Sequence, residues 1–271
     1  MNKILSIFPS LKFVNSHLFT RRDRRAAFTL AEVLITLGVI GVVAAITMPT
    51  LIQNHRKHFV ENKLKADVAL FQNALRMAES KHGQLNEWLG CDLSKEGEEN
   101  YQGNCTRHIF DEYLAPELKV LKVCSYENIE DCWTPAKALN TDVTSDILVP
   151  NPKAIGVVLS NGTSFYMWVG NVSSTKYSPH IQLWFDIDGK DIGKNRMGGD
   201  VFGIVATTAN NKGFMPFGSY ESFYDDINYS EAAKNSLSCT ADNTGANSGI
   251  VCISLIQENG WKIPKDYPIR F

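Results

Sequence analysis

Residues Arg24–Pro49, RRAAFTLAEVLITLGVIGVVAAITMP, decide how the rest of the chain is read. From Phe28 to Met48 the stretch carries one charge, Glu32, close to its N-terminal end. At about 1.5 Å rise per residue, Phe28–Met48 makes a helix of roughly 31 Å. A bilayer hydrocarbon core is about 30 Å thick, so the segment predicts a single membrane-spanning helix. A lone carboxylate in such a helix costs on the order of 2.5–3.5 kcal/mol or more at mid-bilayer, which makes Glu32 a functional candidate by default.

Charge is distributed unevenly around this segment. The whole chain of 271 residues has a net charge of −2. Residues 1–27 hold six basic side chains against Asp23, and the remainder holds 21 basic against 28 acidic residues. Basic residues ahead of an apolar run keep the N-terminus on the cytoplasmic side and place the acidic remainder outside the membrane. A secretory signal would have a shorter apolar core and a small-residue cleavage site after it. Here the run is long, contains Glu32, and no A-x-A cleavage site lies directly after Met48. The acidic remainder also argues against general binding to nucleic-acid phosphates.

The residues around Glu32 carry a resemblance. A basic leader, a small residue, Phe-Thr-Leu-Ala-Glu and then an apolar run resembles the prepilin cleavage and methylation signal of type IV pilins and type II secretion pseudopilins. That resemblance implies cleavage between Ala27 and Phe28 by a prepilin peptidase, followed by N-methylation of Phe28. It implies that Glu32 meets the terminal amine of a neighbouring subunit during assembly, and that Pro49 kinks the helix. It implies partners: other pilin or pseudopilin subunits, the inner-membrane assembly platform and the lipid bilayer. Ala27 departs from the glycine usual before the cut, and the leader is long for the family. A carboxylate in lipid is far less costly beside a cation, which is the physical reason such a pairing would set axial register.

Beyond Pro49 the pattern becomes amphipathic. Ile52, Phe59, Val60, Leu64, Phe71, Leu75 and Ala78 recur near helical spacing, with His55, Arg56, Lys57, Glu61, Lys63 and Arg76 between them. Gly83 is placed to end the helix. Residues 28–83 therefore read as one long helix, 28–48 transmembrane and 49–83 amphipathic, after a leader at 1–27. Residues 84–271 read as one extracytoplasmic globular domain.

Within it, residues 84–152 are polar, proline-interrupted and weakly periodic, and read as a stapled connection with a short helix near Thr106–Leu114. AIGVVLS, Asn161-Gly162 and TSFYMWV predict a β-hairpin with a tight primed turn. IQLWFDI (Ile181–Ile187) and DVFGIVAT (Asp200–Thr207) add strands, and GFMPFG an edge piece. IVCISLIQEN (Ile250–Asn259) predicts a second helix. A long helix laid on an antiparallel sheet gives an α+β fold, the lollipop shape that the resemblance also implies.

Cys91, Cys105, Cys124, Cys132, Cys239 and Cys252 all follow the membrane segment, and their even number outside the cytoplasm favours disulfides. Pairing between sequence neighbours is the simplest connectivity; buried free thiols are the alternative. No C-x-x-C pair is present. Asp186, Asp188, Asp191 and Asp200 cluster among glycines in FDIDGKDIGKNRMGGDVF, residues 185–202. Such oxygen donors on a loop suit Ca²⁺, held by Asp186, Asp188 and Asp200, although the spacing is not that of an EF-hand. The bland reading is a tight Asp-Gly turn with solvated acids. Gly38, Gly41, Ala44 and Ala45 offer a smooth surface for helix packing in lipid, without the G-x-x-x-G spacing. Phe165, Tyr166, Trp168, Trp184 and Phe185 read as sheet core or as a ligand surface. The histidines are scattered, and no nucleotide loop, nucleophile elbow or zinc-protease motif occurs. The chain reads as a structural subunit, not an enzyme: a pseudopilin or minor pilin of the bacterial inner membrane, or else an adhesin or DNA-uptake pilin.

Overall fold

The computed structural model describes residues 28–90, 101–144, 152–170, 179–208, 213–219 and 238–271. The leader, Ala27 and Cys91 lie outside them. The chain divides into two compact units, one ending at Met48 and the other running from Pro49 to Phe271.

Helix α1, Leu30–His82, is 53 residues long and continues through Pro49. In the first unit it buries nothing: Leu34, Ile35, Leu37, Ile40, Val42 and Ile46 are all exposed. Hydroxyl groups in this apolar helix are satisfied by their own backbone, Thr36 donating to Val33 O (3.0 Å) and Thr47 to Val43 O (2.9 Å). That removes the cost of a bare hydroxyl in an apolar medium.

In the second unit the buried positions of α1 are Val60, Glu61, Leu64, Asp67, Val68, Phe71, Ala74, Leu75 and Ala78. Their spacing of three and four is one helix face. The stripe starts later than its sequence pattern: Ile52 is exposed and Phe59 partly so, with the Arg56 guanidinium 5.3 Å from the Phe59 ring centre. After Gly83, whose N–H donates to Glu79 O (3.0 Å), a short α2 (Leu85–Trp88) folds back and stacks Trp88 on Tyr113.

Six antiparallel strands follow in sequence order across one sheet: β1 (Val120–Cys124), β2 (Ala154–Leu159), β3 (Ser164–Gly170), β4 (His180–Asp186), β5 (Val201–Thr207) and β6 (Met215–Pro216). Both faces of the sheet are covered. Phe165 and Phe185 meet Phe71 of α1, each with ring centres 5.3 Å apart. Their strand neighbours Tyr166 and Trp184 point the other way, stacking on Trp133 and Phe217. Period-two alternation thus sends one aromatic of each pair to each face. These four aromatics are core, not a ligand surface.

Two features differ from the sequence expectation. β1 lies within the stretch read as a connection. It is a partly exposed edge strand with Leu121 turned outward and an irregularity between Val120 and Lys122, so it shows no clean alternation. The β2–β3 turn is not a two-residue primed turn. Gly162 N–H donates to Leu159 O (3.1 Å) and Leu159 N–H to Thr163 O (2.9 Å), and of Asn161 and Gly162 only Gly162 has positive φ, +89°. This is the three-residue loop that closes on a left-handed glycine.

Helix α3 (Tyr101–Ile109) extends through a wider turn, Phe110–Leu114, and α4 (Cys252–Glu258) lies near the C-terminus. Disulfides join Cys124 to Cys132 and Cys239 to Cys252; Cys105 is disulfide-bonded as well.

Candidate functional site

The N-terminal end of α1 is built around Thr29 and Glu32. Glu32 N–H donates to Thr29 Oγ1 (3.2 Å), and Thr29 N–H donates to Glu32 Oε2 (2.8 Å). The Thr29 hydroxyl also donates to that oxygen (2.9 Å). This reciprocal arrangement is a capping box, which satisfies two of the free N–H groups at a helix start. The T-x-x-E spacing of Thr29–Glu32 spells it in the sequence. A carboxylate in the first turn also faces the positive end of the helix dipole. Glu32 therefore has an intrachain role before any neighbour arrives. Phe28 beside it is 85% exposed. At Gly38 and Gly41 an added Cβ would meet nothing within 4 Å, so the small-residue patch is open in the single chain.

The acidic hairpin is built differently. Asp186, at the end of β4, accepts the N–H groups of Asp188 (3.0 Å) and Gly189 (3.2 Å) on Oδ1, which closes the Asp-Gly turn. Asp200, at the start of β5, accepts Lys194 N–H (2.7 Å), Asn195 N–H (3.1 Å) and Arg196 N–H (2.6 Å). Arg56 reaches across from α1 to pair with Asp188 and approaches Asp200 at 3.9 Å. The carboxylates of Asp188 and Asp200 converge over Gly193, where a Cβ would lie 2.6 Å from an oxygen of each. Asp191 points outward to Thr134 Oγ1 (2.6 Å) and Lys190.

Burial, and then the charges of Asp200 and Asp188, push the Asp186 carboxyl up to about 8. Burial also raises Asp200, against its backbone hydrogen bonds. Among the described residues, the Arg56 guanidinium faces this cluster, pairing with Asp188. Among the described residues, no three His, Cys, Asp or Glu side chains are arranged to hold a metal ion.

Two buried carboxylates on α1 were not singled out by sequence. Glu61 accepts Lys262 Nζ (2.9 Å) and Ile263 N–H (3.0 Å), tying the C-terminal segment to the helix, with His58 at 3.3 Å. Burial alone would raise its pKa, but the Lys262, Ile263 and His58 contacts outweigh it and hold the group low. Asp67 accepts from Lys63, Asn161 and Thr163, tying the β2–β3 turn to the helix. In sequence both are simply charges among helical apolar positions.

Residues 50–271 match the model of a family of unknown function, DUF6613. The chain belongs to that family. Residues 22–48 match the prokaryotic N-terminal methylation motif, the signature of type IV pilins and pseudopilins. No curated protein and no solved structure matches the chain. The chain thus carries the type IV pilin-like signature on an N-terminal helix long and apolar enough to cross a membrane. The motif spans Ala27, Phe28 and Glu32 and ends at Met48, where the first compact unit also ends. The family region begins beside it, at residue 50, and takes in the sheet, the acidic hairpin and the Glu61 and Asp67 contacts.

Proposed function

We propose that this protein is a pseudopilin or minor pilin. In this reading residues 28–48 hold it in the inner membrane with residues 49–271 outside the cytoplasm. A prepilin peptidase cuts between Ala27 and Phe28, Phe28 is N-methylated, and the mature chain joins a type IV pilus or type II secretion filament through α1. The observation that carries the reading is the methylation motif laid on a helical segment whose large apolar side chains, from Phe28 to Met48, are all exposed in the single chain. About 25 cal/mol per Å² of apolar surface is available to any partner, lipid or helix, that covers them.

Glu32 gives the assembly step its chemistry. The capping box supplies it with two donors from Thr29, which lowers the cost of holding a carboxylate in lipid. Both land on Oε2, so Oε1 is left to accept a neighbour's methylated amine. Cap and inter-subunit pair are then compatible.

The test is the mature N-terminus, read by intact and peptide mass on membrane-extracted protein produced with a competent prepilin peptidase. A chain starting at N-methyl-Phe28 supports the reading. A chain retaining residues 1–27 overturns it and leaves a static membrane anchor.

A further inference from the structure

Lys63, Asp67 and Asn161 meet at one oxygen. Lys63 Nζ donates to Asp67 Oδ1 at 2.8 Å, and Asn161 Nδ2 donates to the same atom at 3.0 Å. The amine of one side chain and the amide of the other are therefore separated by a single carboxylate oxygen. Thr163 completes the group. Its hydroxyl donates to Asp67 Oδ2 (2.8 Å) and accepts from Lys63 Nζ (2.5 Å). Its backbone N–H donates to Asn161 Oδ1 (3.1 Å). The Lys63 and Asp67 side chains are 17% and 1% exposed, while Asn161 sits on the open side of the turn.

These contacts assign complementary roles. A nucleophile needs a base within hydrogen-bond reach and a reacting carbon close by. An acyl carbon is activated when a fixed N–H is aimed at its oxygen, and its leaving group needs a proton donor. Lys63 Nζ, Asp67, Thr163 N–H and the Asp67–Asn161 Nδ2 contact fill those four places. We propose that Lys63 and Asn161 close an intramolecular amide crosslink, with Asp67 as the proton-transfer group between them.

The step balances without any outside reagent. Asp67 takes a proton from the Lys63 ammonium. The freed lone pair on Nζ attacks Asn161 Cγ, and the oxyanion that forms is met by Thr163 N–H. The Cγ–Nδ2 bond breaks as Asp67 returns its proton to Nδ2. The released ammonia takes the second Nζ proton and leaves as ammonium through the exposed side of the turn. One C–N bond forms, one breaks, and no atom changes oxidation state. Burial raises the Asp67 carboxyl, its largest influence, which suits a group that must hold a proton midway through the step. The product would join α1 to the β2–β3 turn covalently, independently of whether the chain assembles into a filament.

Intact mass of the full-length, membrane-extracted protein tests this directly. The expected mass, after processing and disulfides are counted, is short by one ammonia. Proteolysis then yields a branched peptide joining Lys63 to Asn161, with no tryptic cut after Lys63. Lys63→Arg keeps a cation beside Asp67 but removes the nucleophile, and Asn161→Ala removes the acyl carbon; each variant should restore the missing mass. A full mass in the natural chain, with Lys63 and Asn161 in separate linear peptides, overturns the proposal. So does an ammonia loss confined to a linear Asn161-Gly162 peptide, because that is succinimide formation by the Gly162 nitrogen.

Discussion

The two parts of α1 are one helix made by opposite means. Up to Met48 the apolar residues run around the helix and none is buried by the chain. From Val60 onward the apolar residues occupy one face, and that face is buried against the sheet. The first part is specified by composition and needs a surrounding medium or partner. The second is specified by periodicity and finds its partner within the chain. The charged residues follow the same division. Glu32 answers to its own helix end, whereas Glu61 and Asp67 hold other segments of the chain.

The largest effect should come from the seam of the second part. Phe71 is 1% exposed and contacts both Phe165 and Phe185. Phe71→Ala should lower the unfolding free energy by about 3–5 kcal/mol, read by denaturant unfolding in detergent. Ile40→Ala, at a side chain 63% exposed, should leave that transition within about 0.5 kcal/mol of the natural protein. Equal losses at both positions would mean that the two parts of α1 are not supported differently.

Next in size is the acidic hairpin. Asp186 has its carboxyl raised to about 8 in the folded protein, from 3.8. The folded state therefore retains a proton that the unfolded chain releases, and the stability this group contributes is full below about pH 4. It is lost as pH rises through about 8. Asp186→Asn preserves the acceptor for Asp188 and Gly189 without the charge. It should stabilise the domain at pH 8 by an amount on the order of a few kcal/mol and flatten the pH 4–8 slope, measured by thermal unfolding across that range. Asp67 and Asp200 are raised in the same direction, so some slope should persist.

Glu61 should behave with the opposite sign. Its folded pKa is lowered below 4.5, so its contribution is present above that value and fades as pH falls through the folded one. Glu61→Ala should cost about 1–3 kcal/mol at pH 7 by stranding Ile263 N–H. Hydrogen exchange should open around residues 262–263 first.

What the sequence made legible follows the same line between composition, periodicity and long-range pairing. The apolar run and the alternation of AIGVVLS and TSFYMWV announced the helix and the central strands because each is a local pattern. β1 was hidden because an edge strand with Leu121 and Lys122 outward does not alternate. Asn161-Gly162 marks the position of the turn but not its geometry, since the residue count between paired strands depends on register, which two letters do not fix. In the candidate sites, the spacing of Thr29 and Glu32 held the capping box in plain view. The Arg56 contact to Asp188, and those of Glu61 to Ile263 and Asp67 to Asn161, join residues far apart in sequence. No spacing rule could have named them.

The smallest effect on the single chain falls at the other end of the helix. Thr29→Ala removes one half of the capping box and Glu32→Ala the other, so each should cost about 0.5–2 kcal/mol of local helix stability. Amide exchange over the first turn, in detergent, reads that loss. If capping were the whole role of Glu32, the two variants would be equally impaired in filament incorporation. The pairing proposed for Glu32 with a neighbour's terminal amine requires them to part: Thr29→Ala retains the carboxylate and should incorporate, while Glu32→Ala should stay membrane-bound but incorporate poorly. Equal incorporation of both variants would remove the pairing and leave Glu32 as a cap alone.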